Sequence, residues 1–265
     1  MKKLDVLLLG GTKDSINIIK HLKSNYNAYI LTTTTTDYGS KLAIKGGTDD
    51  SIAKPLLKNE ILNLLKNNSF DLIIDATHPF ATHITKTAIE CCKITEIPYI
   101  RFERPISDLK ICDDKKVHCV NSFVDAGKLI HKKWNQYNVL HLAGSNTIKD
   151  VLENVSPSNF YPRILKIKSS LEKCEKLKIP KENIFFMNGA SSEKENINLI
   201  KKVDAKVIIT KDSGEVGGLS SKINASKKAG IDIIIINRPE ILELKKETVV
   251  SNLDELELKI KEDFF

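Results

Sequence analysis

The chain has 265 residues, 41 Lys and Arg against 34 Asp and Glu, a formal net charge of +7, and 41% hydrophobic residues. That suffices for two domains with real cores. With no apolar run of 18 residues, no transmembrane helix is expected. Arginine occurs only at Arg101, Arg104, Arg163 and Arg238, and the lysines are spread along the chain without interleaved aromatics. This argues against nucleic-acid binding and leaves a diffuse positive field that favours an anionic small molecule.

The start, "MKKLDVLLLGG", reads as a first strand and not as a signal peptide, because the apolar run is short, contains Asp5 and leads into glycines. A helix follows over 13–25, with Ile16, Ile18, Ile19 and Leu22 at helical spacing. "AYILTTTT" is a second strand, residues 52–68 a helix, "DLIID" a strand, 81–95 a helix and "PYIRF" a strand. The stretch 103–116 breaks this rhythm with Pro105 and a run of charges, and a domain boundary is placed there, giving domains 1–105 and 106–265. Beyond it, "VHCV", "YNVLHLAG", "YPRILKI", "ENIFFM", "AKVIIT" and "IDIIIIN" read as strands. Helices are expected over 123–134, 191–203, 219–230 and, last, 252–265.

The fold class is therefore α/β: two Rossmann-like domains of mostly parallel strands with a ligand cleft between them. The five cysteines (Cys91, Cys92, Cys112, Cys119, Cys174) are odd in number and form no CxxC. Reduced thiols in a cytoplasmic protein are expected, and no metal site.

Four strand tips carry candidate chemistry. In "LLLGGTKDS", Gly10, Gly11, Thr12 and Ser15 lie where the first strand opens into the first helix, a place suited to a phosphate, although a tight turn alone also explains the glycines. After the second strand, in "TTTTTDYGS", Thr34 and Asp37 stand where an acid grips ribose hydroxyls. No arginine lies nearby, which favours NADH over NADPH; a plain turn is the alternative. In "IDATHPFA", Thr77, His78 and Pro79 are expected at the N-terminus of the next helix, with Pro79 in its first turn and His78 able to bond a cofactor or pass a proton. "TKDSGEVGG" brings Lys211, Asp212, Ser213, Gly214, Gly217 and Gly218 together with Lys222, a nest with cations suited to carboxylates or phosphates. Arg163, inside an apolar strand, points either to solvent or into the cleft.

These stretches, with "RFERP" and "INRPE", resemble the precorrin-6A reductase family of corrin biosynthesis over nearly the whole chain. "TDYG" is similar to its cobalt-precorrin branch. The resemblance implies a nicotinamide coenzyme on the N-terminal domain and hydride transfer to a ring carbon of the macrocycle, with a proton added to the neighbouring carbon. It places Gly10, Gly11, Thr12, Ser15, Thr77, His78 and Pro79 beside the coenzyme, and Lys211, Asp212, Ser213, Gly214, Gly217, Gly218 and Lys222 beside a polyanionic substrate. His78 and Lys211 are the side chains available as proton donors, alongside water. Two stretches depart from the pattern: "HLAGSN" replaces a threonine-glycine element, and "MNGASS" lacks the usual Pro-Phe after Gly189. A non-catalytic nucleotide- or tetrapyrrole-binding regulator and a Rossmann-type transferase remain as alternatives.

Overall fold

Short apolar runs ending in polar tips form parallel strands throughout the computed structural model, which describes residues 3–105, 112–186, 189, 191–214 and 217–265. In chain order the first elements are β1 (Lys3–Leu9), α1 (Lys13–Asn25), β2 (Asn27–Thr34), α2 (Asp37–Gly46), β3 (Asp50–Ala53), α3 (Lys58–Asn67), β4 (Leu72–Asp75), α4 (Thr82–Thr95) and β5 (Tyr99–Phe102). Then come β6 (Val117–Val120), α5 (Phe123–Trp134), β7 (Asn138–His141), α6 (Ile148–Leu152), β8 (Phe160–Ile164), α7 (Lys168–Lys176), β9 (Phe185–Phe186), α8 (Glu193–Lys202), β10 (Ala205–Lys211), α9 (Leu219–Ala229) and β11 (Asp232–Ile236). The last are β12 (Thr248–Val250) and α10 (Leu253–Phe264).

The chain divides into two units, residues 1–105 with 239–265, and residues 106–238. The first holds a parallel six-stranded sheet of order β3-β2-β1-β4-β5-β12. The second holds another, of order β9-β8-β7-β10-β11-β6. Both are the doubly wound plan, in which the strand order reverses next to a central strand: between β1 and β4 in one unit, between β7 and β10 in the other.

Successive residues of a strand point to opposite faces, so a sheet covered on both sides needs a continuous apolar run. In β1, Val6 and Leu8 pack with Ile18, Ile19 and Leu22 of α1 and with Leu256 and Ile260 of α10. Leu7 and Leu9 face the other way, onto Ile61 and Leu65 of α3 and Ala88 and Cys91 of α4. In the second unit, Leu140, Ile208, Ile233 and Ile235 pack against Ile200 of α8 and Ile223 of α9.

Four expectations are corrected. The second domain does not run to residue 265: β12 pairs with β5 in the register Thr248↔Ile100, and α10 closes the first core. The helix expected from residue 52 begins at Lys58, because Ile52 and Ala53 pair with Thr33 and Thr34 as part of β3. The seven-residue strand expected over 161–167 ends at Ile164, and α7 begins at Lys168. Cys112 and Cys119, expected as thiols, are joined in a disulfide with Cα atoms 5.9 Å apart, whereas Cys91, Cys92 and Cys174 are free and buried. Among the described residues no helix is long and apolar enough to cross a membrane.

Because the returning segment completes the first core, truncating it should be felt far from the chain end. Leu256, which is fully buried, changed to alanine should destabilise the first unit by about 2–5 kcal/mol. Urea denaturation followed by circular dichroism measures it. A change below about 1 kcal/mol would show that α10 is not part of that core.

Candidate functional site

Open α/β sheets bind ligands at the carboxyl ends of strands where the strand order reverses. In the first unit those are the tips of β1 and β4. Gly10 follows β1, and a Cβ there would lie 2.9 Å from Thr32 Cγ2, so the chain passes too close to β2 for any side chain. Gly11 takes φ +96° with open space around it, a conformation that glycine adopts without strain. Thr12 caps α1: its hydroxyl accepts from Ser15 N at 3.1 Å and donates to Ala76 O at 2.8 Å, joining the two tips. Ser15 is fully buried and returns the cap, accepting from Thr12 N and donating to Thr12 O. Its hydroxyl is therefore structural, against the expectation that it holds a phosphate.

A cavity of about 290 Å³ opens at these tips, lined among others by Gly10, Thr33, Thr34, Thr35, Lys54 and Phe80. Thr34 is buried at the end of β2 and donates to Thr36 O. Asp37, in contrast, is exposed in the first turn of α2 and is not on the cavity wall. Lys54, which the sequence reading did not single out, is on the wall and pairs with Glu60.

At the β4 tip the backbone differs from expectation. α4 starts only at Thr82, and residues 78–81 form a turn closed by Ala81 N donating to His78 O at 2.7 Å. Pro79 is thus the second residue of a turn, where its fixed φ fits, and not part of the helix. His78 Nδ1 accepts from Phe80 N at 3.2 Å, which puts the proton of the neutral ring on Nε2.

Asp75 and Arg101 face each other on β4 and β5, and both are fully buried. Arg101 Nη1 lies 2.8 Å from Asp75 Oδ1, and Nε donates to Glu103 at 3.0 Å. The Asp75 carboxylate also accepts from Thr77 N (2.9 Å), Thr77 Oγ1 (2.6 Å), Thr85 Oγ1 (2.7 Å) and Tyr99 OH (2.9 Å). Arg101 also donates to Thr77 Oγ1 at 3.0 Å and Thr77 O at 3.2 Å. Burial works against the Arg101 charge, but Asp75 and Glu103 outweigh it and raise its pKa. Burial and then Asp75 push the Tyr99 phenol up, so it stays a donor. Thr77, expected to face a cofactor, has its hydroxyl proton committed to Asp75.

In the second unit the reversal lies between the tips of β7 and β10. Lys211 ends β10, partly buried, and burial pulls its ammonium down to about 8. Asp212 is buried; its Oδ1 accepts from Gly214 N at 3.2 Å, and its other carboxylate oxygen faces Arg238 at 3.6 Å. Ser213 is buried beside it, and Gly214 and Gly218 take φ +66° and +71°. Gly217 N donates to Gly214 O at 3.1 Å. Lys222 on α9 reaches back to Thr210 Oγ1 and Gly217 O, both at 3.1 Å, so it braces this loop from inside. Burial first, then Arg163 and Lys211, pull its pKa down to about 7.

Arg163 is buried, so it does not point to bulk solvent; its Nη1 donates to Ser191 Oγ and Asn196 Oδ1, both at 2.7 Å. It also borders a cavity of about 310 Å³ with Phe185, Leu199 and Lys202. His141 at the β7 tip is fully buried. Burial and Lys211 push its imidazole down to about 3, and Nδ1 has no partner among the described residues. No carboxylate pairs with Arg163 or Lys222 among the described residues. Arg163 and Lys211 both act electrostatically on Lys222, while Glu195 partly offsets the burial of Arg163, and the group suits an anion. The lost Pro-Phe position falls at residues 190–191; residue 190 lies outside the described residues. Among the described residues no cluster of His, Cys, Asp or Glu could hold a metal ion.

A family model described as Precorrin-6x reductase CbiJ/CobK matches residues 5–260. A cobalt-precorrin-6A reductase of Methanocaldococcus jannaschii is 41% identical over 239 residues, covering 90% of this chain and 92% of the relative. One of Methanothermobacter thermautotrophicus is 36% identical over 256 residues, covering 96% of this chain and 83% of the relative. A solved structure of CobK precorrin-6A reductase aligns with a TM-score of 0.73 at 17% identity, covering 99% of this chain and 97% of the other, which establishes a shared fold.

The buried cations predict a pH dependence of stability. Lys222 loses its proton at about 7 in the folded chain and at about 10.4 when unfolded. Between those values the unfolded chain binds more protons, so stability gains with rising pH. Compared with Lys222→Met, the wild type should therefore gain stability from about pH 7 to about pH 10 in urea denaturation. A flat difference would mean that this ammonium is not desolvated.

Proposed function

Because the chain belongs to the precorrin-6x reductase family, we propose that it reduces precorrin-6A, or its cobalt form, to precorrin-6B in cobalamin biosynthesis, with a reduced nicotinamide dinucleotide as hydride donor. The observation that carries this reading is the placement of the motifs. The glycine tip of β1 and the His78 turn lie at the reversal point of one sheet, and the lysine-bearing loop lies at that of the other. Reduction adds a hydride to one ring carbon and a proton to its neighbour, and releases oxidised nicotinamide. Such a reaction asks the protein for alignment and exclusion of water more than for a nucleophile.

In the first unit, Gly10, Gly11 and Thr12 supply close backbone and the α1 N-terminus for the pyrophosphate, and the cavity beyond them takes the adenosine half. Asp37 stands off the cavity wall, in the first turn of α2, and meets the ribose hydroxyls only where the ribose extends beyond that wall, whereas Lys54 on the wall is the cation available to a 2′-phosphate; the reading takes NADH as the coenzyme, on Asp37. In the second unit, Lys211, Lys222 and Arg163 offer positive charge to the acetate and propionate arms of the macrocycle. Lys211, with its pKa near 8, is suited to giving a proton at neutral pH, and His78 is the other proton-donor candidate, in its protonated form.

Anaerobic assay of the purified chain should show oxidation of reduced nicotinamide only with the macrocycle present. Titration should show NADH bound more tightly than NADPH, with Asp37→Asn narrowing the gap. A clear preference for NADPH would defeat the part resting on Asp37. Lys211→Ala should weaken macrocycle binding by about tenfold and leave coenzyme affinity within about twofold, the loss of one charge contact. Equal loss of both would place Lys211 on the coenzyme instead.

A further inference from the structure

We infer that Asp75 and Arg101 are positioning residues for the reduction, holding through Thr77 the turn that presents His78. The inference rests on the coenzyme reading proposed above. Neither side chain has any solvent exposure, so neither can touch coenzyme or substrate. What they do touch is specific. Three polar groups of Thr77 are taken up by the pair: its N–H and its hydroxyl proton go to Asp75 Oδ1, and its carbonyl accepts from Arg101 Nη2. A second guanidinium nitrogen, Nη1, donates to the Thr77 hydroxyl.

The consequence reaches the next residue. With Thr77 fixed on both sides of its α-carbon, the backbone entering His78 has one direction. The ring is then set by Phe80 N donating to Nδ1, and the turn by Ala81 N donating to His78 O. Thr12 Oγ1 donates to Ala76 O, so the same segment is tied to the glycine tip. A mere structural pair would need only the Asp75–Arg101 contact. Here the planar fork of Arg101 spans Asp75, Glu103 and Thr77 together, a geometry that a lysine cannot reproduce. Such a frame serves a reaction that depends on alignment.

The test uses the full chain with Arg101→Lys, Thr77→Val, Thr77→Ser and the Arg101→Lys/Thr77→Val double variant. Three quantities are read: the NMR signal of the His78 ring without ligand, assigned by its loss in His78→Gln; kcat/KM for NADH and NADPH with the macrocycle; and Tm. Arg101→Lys and Thr77→Val should each move the His78 signal and lower kcat/KM at least about tenfold, beyond any loss in folded fraction. Thr77→Ser should stay within about threefold of wild type, and the double variant should be no worse than the poorer single one, because both act through one contact set. An unmoved ring signal, or a Thr77→Val chain with wild-type kcat/KM, overturns the positioning role. A wild-type chain that oxidises neither coenzyme overturns the coenzyme reading instead, and there the ring signal alone decides whether the frame positions His78.

Discussion

A carboxylate and a guanidinium, each taken wholly out of water, face one another at the ends of β4 and β5. Desolvating two charges is expensive, and their attraction compensates only when geometry is good and the remaining hydrogen-bonding capacity is used. Asp75 meets that condition with its five donors, and Arg101 with acceptors from Asp75, Glu103 and Thr77. Removing one partner would strand the other, at a cost of about 3–5 kcal/mol. An apolar pair would fill the space without that hazard. It could not, however, hold a turn whose exposed groups are polar. The pair converts a sheet interior into a frame for a loop, and the first unit's tip depends on it.

The two units apply one plan to opposite chemistry. Each is a parallel sheet that reverses its order beside a central strand, and in each the outermost strand next to β5 or β11 comes from outside the regular βα run. β12 arrives after the second unit is complete, and β6 precedes the rest of its own. The chain therefore crosses twice, near Pro105 and near Pro239. At the reversal points the first unit offers glycines, threonine hydroxyls and a helix N-terminus, whereas the second offers lysines and an arginine. Neutral donors suit a pyrophosphate approached closely by backbone; cations suit several separate carboxylates.

Much of this is written in the sequence. The βα rhythm, the parallel sheets and three of the four tips follow from apolar runs ended by glycine or acid. β3 was missed because Asp50–Ala53 is four residues with a half-buried pattern and no alternation. The return of β12 and α10 was missed because sequence order says nothing of which sheet edge a late strand finds. The Asp75–Arg101 pair had a signal that went unused: an acid and an arginine at the carboxyl ends of two successive strands, two residues after Ile73 and Tyr99, which belong to one core cluster. Ser15 misled because a serine three residues into a helix looks the same whether it binds a ligand or returns a cap. The disulfide at Cys112 and Cys119 was missed because neither spacing nor count marks a pair seven residues apart.

The second unit's cations show how a site can stand in tension with its fold. Lys222 is desolvated, close to other positive charge and, among the described residues, paired with a hydroxyl and a carbonyl. Arg163 is held by two neutral side chains. Each loses stability on burial; Glu195 offsets part of this for Arg163, and burial still leaves the Arg163 pKa lowered. Under the proposed function the balancing charge arrives with the substrate, whose acidic arms come near these desolvated groups. Binding then recovers electrostatic energy that the empty fold forgoes, and the affinity is largest for a ligand carrying several carboxylates at the right separations. On that reading a basic chain with few arginines is selective without a basic surface block, the buried charges discriminating and the surface lysines supplying the field that draws a polyanion near.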